Sequence, residues 1–361
     1  MKVYIVDLEA VDTRYTGQWK WHVPKLLLDN GYEICVIDGP TDIPSATTPG
    51  AFLNFGGTNI YKSEQVVKIG RLFCDGKIQP GDHFVFTDAW HPGIINLKYM
   101  SELLGIPVVI HALWHAGSYD PQDFLGRLIG DAAWVRHAEK SFFHAVNHNY
   151  FATDFHIKMF DHNLLNDGKL AMPPLAWLSG KKIVRTGWPM EYLKNILEPF
   201  KREKRDLILF PHRIAPEKQV EIFRDLAAQL PQYEFVVCQE LGLSKNGYHD
   251  LLGQAKMVFS ANLQETLGIS MYEGALVGAI PVVPDRLSYT EMYQDGFKYP
   301  SEWTESFESY LKHRQALCHH IEVTMTHYEK RLPALQQQAQ DLTQNFFSAQ
   351  GLLAQLATYK K

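Results

Sequence analysis

Short apolar runs recur along the chain, separated by longer stretches whose apolar residues fall at helical spacing. KVYIVDL (2–8), EICVIDG (33–39), HFVFTDA (83–89), PVVIHALW (107–114), NYFATD (149–154) and KKIVRTG (181–187) predict strands, with helical stretches between most of them. LILF (207–210), MVFSA (257–261) and AIPVV (279–283) continue the series. Such alternation predicts an α/β fold of mostly parallel, doubly wound sheets, with ligands at the carboxyl ends of the strands. From Trp303 onward the pattern is helical, rich in Leu, Gln and His, without strand candidates. Charge rises in GWPMEYLKNILEPFKREKRD (187–206), which Pro189 and Pro199 punctuate, so a linker is expected there and a new sheet at LILF. The predicted domains are 1–190 and 191–361.

The length of 361 residues suits two α/β units, each of roughly 180 residues and able to bury its own core. No segment approaches the roughly 20 consecutive apolar residues of a membrane span. Asp7 and Glu9 interrupt the N-terminal run too early for a secretory signal, and it reads as a first buried strand. Cys35, Cys74, Cys238 and Cys318 are scattered, without zinc spacing or a disulfide framework, which points to a cytoplasmic setting. A net charge of -5 gives no global signal for nucleic acid, although a local basic patch on an acidic chain stays compatible with it.

The chemistry concentrates in NLQETLGISMYEGALVGAIPVVPD, where Glu265 and Glu273 lie eight residues apart. That is just over two helical turns, so both carboxylates can project from one side, the first at the helix start. Backbone N–H groups of Thr266, Leu267, Gly268 and Ile269 would then face an anion such as a phosphate. Glu265 would accept hydrogen bonds from sugar hydroxyls. A surface helix with two solvated glutamates is the alternative. Upstream, PHRIAPEKQVEIFRDLAAQL places Arg213 and Lys218 on a loop entering an amphipathic helix, where a rigid fork and a flexible point charge can neutralise a diphosphate.

With these four residues, the segment from about 205 to 295 resembles the C-terminal domain of the retaining GT-B glycosyltransferases, the group of glycogen and sucrose synthases. The resemblance implies two Rossmann-like domains facing a cleft, with terminal helices crossing back. It implies that Arg213 and Lys218 contact the donor diphosphate, Glu265 the donor sugar and Glu273 the nucleotide ribose. The co-substrate would be a nucleotide-diphosphate sugar such as a UDP-sugar, the anomeric configuration would be retained, and no cofactor or metal would be required.

The first half is expected to carry the acceptor. Arg14, Thr16 and Gly17 precede a helix, where Gly17 would permit a tight backbone turn. Trp19 and Trp21 follow, readable as a core staple or as a stacking platform. Trp90 and Trp114 come just after strand-like runs, in positions that should open into the cleft. Asp88 is a candidate acceptor-orienting residue or base, or else a helix cap. The histidines lack the regular pairing with acids or cysteines that zinc requires, so no metal site is expected. By resemblance a histidine after an N-domain strand would contact the donor sugar. His115 is the first choice and His111 the second; a buried histidine satisfied by backbone is the competing reading of His115.

FLNFGGTNIYKS, FTDAWHPG and HALWHAGSYDPQDFLGRL resemble glycosyltransferases encoded by large tailed bacteriophages. That resemblance implies a hydroxymethylated base in double-stranded DNA as the leading acceptor, with Arg14, Lys20, Lys25, Lys62 and Arg127 as backbone contacts. A surface glycan, a lipid-linked sugar and a tRNA base are alternative acceptors. A noncatalytic sugar-nucleotide or glycan binder and a nucleotide-sugar epimerase are alternative classes.

Overall fold

A computed structural model describes residues 1–11, 14–44, 46, 53–166 and 182–360. The chain divides into two units, one comprising Met1–Pro189 with Ala349–Lys361, the other Met190–Ser348. The first unit is built on β1 (Lys2–Val6), β2 (Glu33–Ile37), β3 (His83–Phe86), β4 (Val109–Leu113), β5 (His148–Phe151) and β6 (Ile183–Arg185). These form one sheet in the order β2-β1-β3-β4-β5-β6, every pair parallel.

Helices on both faces bury its central strands completely, which is why those strands read as continuous apolar runs. On one face Tyr4 stacks on Phe84 at 4.7 Å and packs with Phe86, Ile110, Ala112, Trp114 and Phe151 in the main core. Val3, Ile5 and Val85 are fully buried as well. Beside them three imidazoles occupy neighbouring strands. His83 Nδ1 lies 2.8 Å from His111 Nε2, His111 Nδ1 lies 2.6 Å from the Tyr150 hydroxyl, and His148 Nε2 lies 2.6 Å from the hydroxyl of Tyr359, just past the helix Gln350–Ala357. The last segment of the chain is thus tied to the first sheet, and Lys360 adds a bond to the Asn30 carbonyl.

The second unit carries β7 (Arg205–Phe210), β8 (Glu234–Val237), β9 (Ala255–Phe259), β10 (Ile280–Pro284) and β11 (Lys298–Tyr299), all parallel, in the order β11-β10-β9-β7-β8. The strands β8 and β11 escape the apolar-run criterion. β8 is half exposed, and β11 has two residues. The expected linker is not bare chain, because a helix, Tyr192–Leu197, forms inside it and buries Tyr192, Leu193 and Leu197. The long helices Phe307–Thr326 and Tyr328–Asn345 match the helical pattern after Trp303. Among the described residues no helix is long and apolar enough to cross a membrane.

The buried imidazoles make acid stability testable. Burial pushes His83 down to about 4 and His91 and His156 to about 3, and holds His111 well below its ordinary value. Each is neutral in the fold, while in the unfolded chain each binds a proton below about pH 6.5. Their contribution is therefore complete above that pH and is lost as pH falls towards about 4. Asp7, raised to about 6 by burial, acts in the opposite direction, as do Glu9 and Glu139, also raised by burial, but these three carboxyls stand against eight imidazoles, because burial lowers His115, His144, His212 and His320 too. The urea midpoint should be level above pH 6.5 and fall steadily below it; a midpoint that rises between pH 6.5 and 4.5 would contradict this reading.

Candidate active site

In the second sheet the strand order reverses between β7 and β9, so the loops leaving these strands part and open a crevice at their carboxyl ends. The loop after β7 carries His212, Arg213 and Lys218, the last in a single 3-10 turn, Pro216–Lys218. The loop after β9 carries Asn262, Gln264 and Glu265. The Leu263 N–H donates to the Glu217 carbonyl at 2.8 Å, which joins the two loops.

Glu265 is the hub. Its Oε2 lies 3.3 Å from Lys218 Nζ and accepts from Asn262 Nδ2 at 3.0 Å, while Oε1 accepts from the Thr266 N–H at 3.2 Å. Lys218 also donates to the Gln264 carbonyl. Burial opposes ionisation of Glu265, but the Lys218 ammonium and the Gly268 N–H outweigh it and hold the carboxyl below its ordinary range. His212, packed beside them, is pushed down to about 3 by burial. It is neutral at pH 7, so the cation that acts on Glu265 is Lys218. Arg213 pairs with Glu217, whose side chain is buried while Arg213 stays one-third exposed.

Two features differ from the sequence expectation. The helix starts at Ile269, four residues after Glu265, so the two glutamates do not share a helix. Gly268 stops it there by adopting a left-handed φ of 71°, and a Cβ would stand 2.7 Å from the Tyr289 ring. Moreover, the N–H groups of Thr266 and Gly268 already serve the Glu265 carboxylate, and Leu267 is buried. Of the four expected donors, Ile269 is the one in the first helical turn, where N–H groups have no intrahelical partner. Glu273 sits inside the helix, buried, accepting from the Tyr248 hydroxyl at 3.2 Å with His249 Nε2 3.9 Å away.

In the first unit the strand order reverses between β1 and β3, and the loops there hold Asp7, Glu9 and Asp88. Asp88 is no helix cap. Its Oδ2 pairs with Lys62 Nζ at 2.8 Å and its Oδ1 accepts from the Trp90 N–H at 3.0 Å. Burial opposes its ionisation, but Lys62 outweighs that and holds the carboxyl low. His115 follows β4 with both ring nitrogens occupied, Nδ1 by the Tyr15 hydroxyl and Nε2 by the Thr87 carbonyl. Burial keeps it neutral. His111 is wholly buried in the sheet, and its ring stacks between His83 and His148 rather than converging with them on a point. Among the described residues no three His, Cys, Asp or Glu side chains are placed to hold a metal ion.

The tryptophans separate by environment. Trp19 is 3% exposed and wedged against Tyr15, His115 and Trp188, and Trp114 is fully buried with its Nε1 on Asn149 Oδ1. Both belong to the core rather than to an open loop. Trp90 is partly buried and donates to Glu139, while Trp21 is half exposed. Gly17 lies in the first turn of the helix Tyr15–Asp29 and makes no tight turn. Of the cations expected to meet DNA, Lys20 pairs with Asp7, Lys25 with Asp29 and Lys62 with Asp88, while Arg127 donates to the Gln122 carbonyl and Arg14 precedes the first helix. Sequence reasoning missed Glu139, fully buried, which accepts from Trp90 Nε1 and from the N–H and hydroxyl of Ser118, so joining the loops after β3 and β4. It also missed Asn262 and His212, for which only their nearness to Glu265 and Arg213 was a signal.

No family model matches the chain, and no curated protein matches it. Solved structures do. The sucrose-phosphate synthase of Thermosynechococcus elongatus superposes with a TM-score of 0.62 at 11% identity, over 100% of this chain and 98% of that one. The catalytic domain of starch synthase IV from Arabidopsis thaliana, bound to ADP and acarbose, gives 0.59 at 11% identity over 99% and 98%. An α-glucosyltransferase in complex with UDP and a 13-mer DNA gives 0.56 at 11% identity over the whole of both chains. The chain has the GT-B fold of these glycosyltransferases, an α/β architecture of two parallel sheets with a helical C-terminal tail.

Proposed function

We propose that the protein transfers a glycosyl group from a nucleotide-diphosphate sugar to an acceptor hydroxyl, with retention of configuration. One observation carries this reading: Lys218, Arg213 and Glu265 lie together on the two loops that leave β7 and β9, where a doubly wound sheet binds its ligand. Without a ligand, Lys218 and Glu265 neutralise each other. An arriving diphosphate gives Lys218 and Arg213 a stronger anionic partner, and Glu265 turns its lone pairs to sugar hydroxyls. As the glycosidic bond breaks, charge on the leaving diphosphate grows against these cations and the helix end at Ile269, so the transition state is favoured over the ground state. Glu273 would serve the ribose, and the reaction would need no metal; activity should survive EDTA, and a complete, metal-reversible loss would overturn that part.

Incubation with a panel of nucleotide sugars and candidate acceptors, read by intact mass, tests the reading. For the acceptor we propose a hydroxymethylated base in DNA, supported by the phage-like segments of the first unit and by a similar fold that holds both UDP and DNA. The pairing of Lys20, Lys25 and Lys62 with acids weakens the electrostatic case for it. A pentose or hexose increment on hydroxymethylcytosine DNA would establish it, and an increment only on glycan, lipid or tRNA would replace it. Arg213→Ala should weaken nucleoside diphosphate binding by about 1.5–3 kcal/mol, as for other charge-assisted bonds. Unchanged affinity by calorimetry would remove Arg213 from the site.

A further inference from the structure

Behind the loop that carries Glu265, two side chains converge on the same pair of carbonyls. Arg286, partly buried, donates to the carbonyls of Asn262 (2.7 Å), Ala261 (2.7 Å), Ser301 (2.9 Å) and Thr304 (3.1 Å), and to the Thr304 hydroxyl (3.0 Å). Gln219 Nε2 donates to the carbonyls of Ala261 (2.6 Å) and Thr304 (2.7 Å). Gln219 follows Lys218 directly, and Asn262 hydrogen-bonds Glu265.

The backbone marks the same place. Among the described residues the non-glycine positions with positive φ are Gln219, at 54°, and Leu287, at 58°, the neighbour of Arg286. Left-handed backbone is unfavourable for a residue with a Cβ and persists where surrounding contacts impose it. Here the contacts that impose it are the hydrogen bonds to Ala261, Asn262 and Thr304. Glycine at 219 would adopt this backbone without strain, so the conformation alone does not call for a glutamine; its side chain is what the position supplies.

We infer that Gln219 and Arg286 are positioning residues that fix the Ala261–Asn262 backbone and thereby aim Asn262 and Glu265 at the donor sugar. Neither touches the reacting atoms in this arrangement. Their influence passes through Asn262 to Glu265. The inference rests on the glycosyltransferase reading for its ligand, but not for its mechanics.

The test uses the full chain with UDP and UDP-glucose as probes, together with amide hydrogen exchange over residues 261–265. Gln219→Gly keeps a backbone that glycine favours and deletes only the side-chain bonds. It should leave UDP affinity within about twofold, weaken UDP-glucose relative to UDP by about fivefold or more, and speed exchange of the 261–265 amides by about tenfold. Arg286→Lys, which keeps the charge but not the fan of donors, should do the same more strongly. Native selectivity and native exchange in Gln219→Gly would overturn the inference, even if Arg286→Lys fails to fold. If the native chain binds neither probe, the glycosyltransferase reading is what suffers, and the exchange rates alone then decide the clamp: faster exchange upholds it and unchanged exchange overturns it.

Discussion

Glu265→Ala should abolish glycosyl transfer and leave nucleoside diphosphate affinity within about threefold of the native value, or tighter. The asymmetry follows from its contacts. Its carboxylate is held by Lys218, Asn262 and the Thr266 N–H, groups that in the proposed reading face the donor. Deleting the carboxylate releases Lys218 for the diphosphate, so binding of the leaving group is not impaired. What would disappear, on the proposed reading, is the acceptor of the sugar's hydroxyl protons, and with it the alignment of the anomeric carbon; misplacement of a reacting centre is costly in rate. The check is a calorimetric titration with UDP beside an intact-mass transfer assay. A variant that loses diphosphate affinity would place Glu265 on the phosphates or in the scaffold, and one that transfers normally would remove it from the reaction.

Lys218→Ala should fail twice over. Lys218 is 6% exposed, so its removal strands a largely buried carboxylate without a cation. Breaking a buried pair from one side typically costs on the order of 3–5 kcal/mol; the 18% exposure of the Glu265 side chain puts the expected loss at the lower end, about 3 kcal/mol. The carboxyl would recover part of this by taking up a proton, so the loss should shrink as pH falls towards 5. Diphosphate binding should be lost together with stability. Lys218→Ala, Glu265→Gln removes the stranded charge and should restore most of the stability but none of the binding. Urea unfolding of the single and double variants separates the two effects. Native stability in Lys218→Ala would show that the pair contributes nothing to the fold.

Legibility from sequence followed burial in most strands. β1, β3, β4, β7, β9 and β10 are largely buried and carry apolar runs that stood out, while β2 and β6 stood out by their apolar residues although they are less buried. The half-exposed β8 and two-residue β11 are held by their neighbours, and no local pattern marks them. The placement of the candidate residues was legible: Arg213, Lys218, Glu265 and Asp88 all lie beside strand ends at a reversal of sheet order. Orientation was not legible. Nothing local distinguishes Trp21, half exposed, from Trp19, which packs on Tyr15 and Trp188. Nor does spacing reveal that Gly268 delays the helix, leaving Glu265 in a loop that Arg286, twenty-one positions later, holds from behind.

Because the first unit includes Ala349–Lys361, its histidine-bearing sheet face is finished by residues that leave the ribosome only after the whole second unit. Residues 1–189 must therefore wait with His148 lacking its Tyr359 partner while roughly 160 further residues are made, on the order of 10–30 s at ordinary elongation rates. The bond between Tyr359 and His148 thus ties residues far apart in the order of synthesis, and this part of the first sheet gains it only after the second unit has been made.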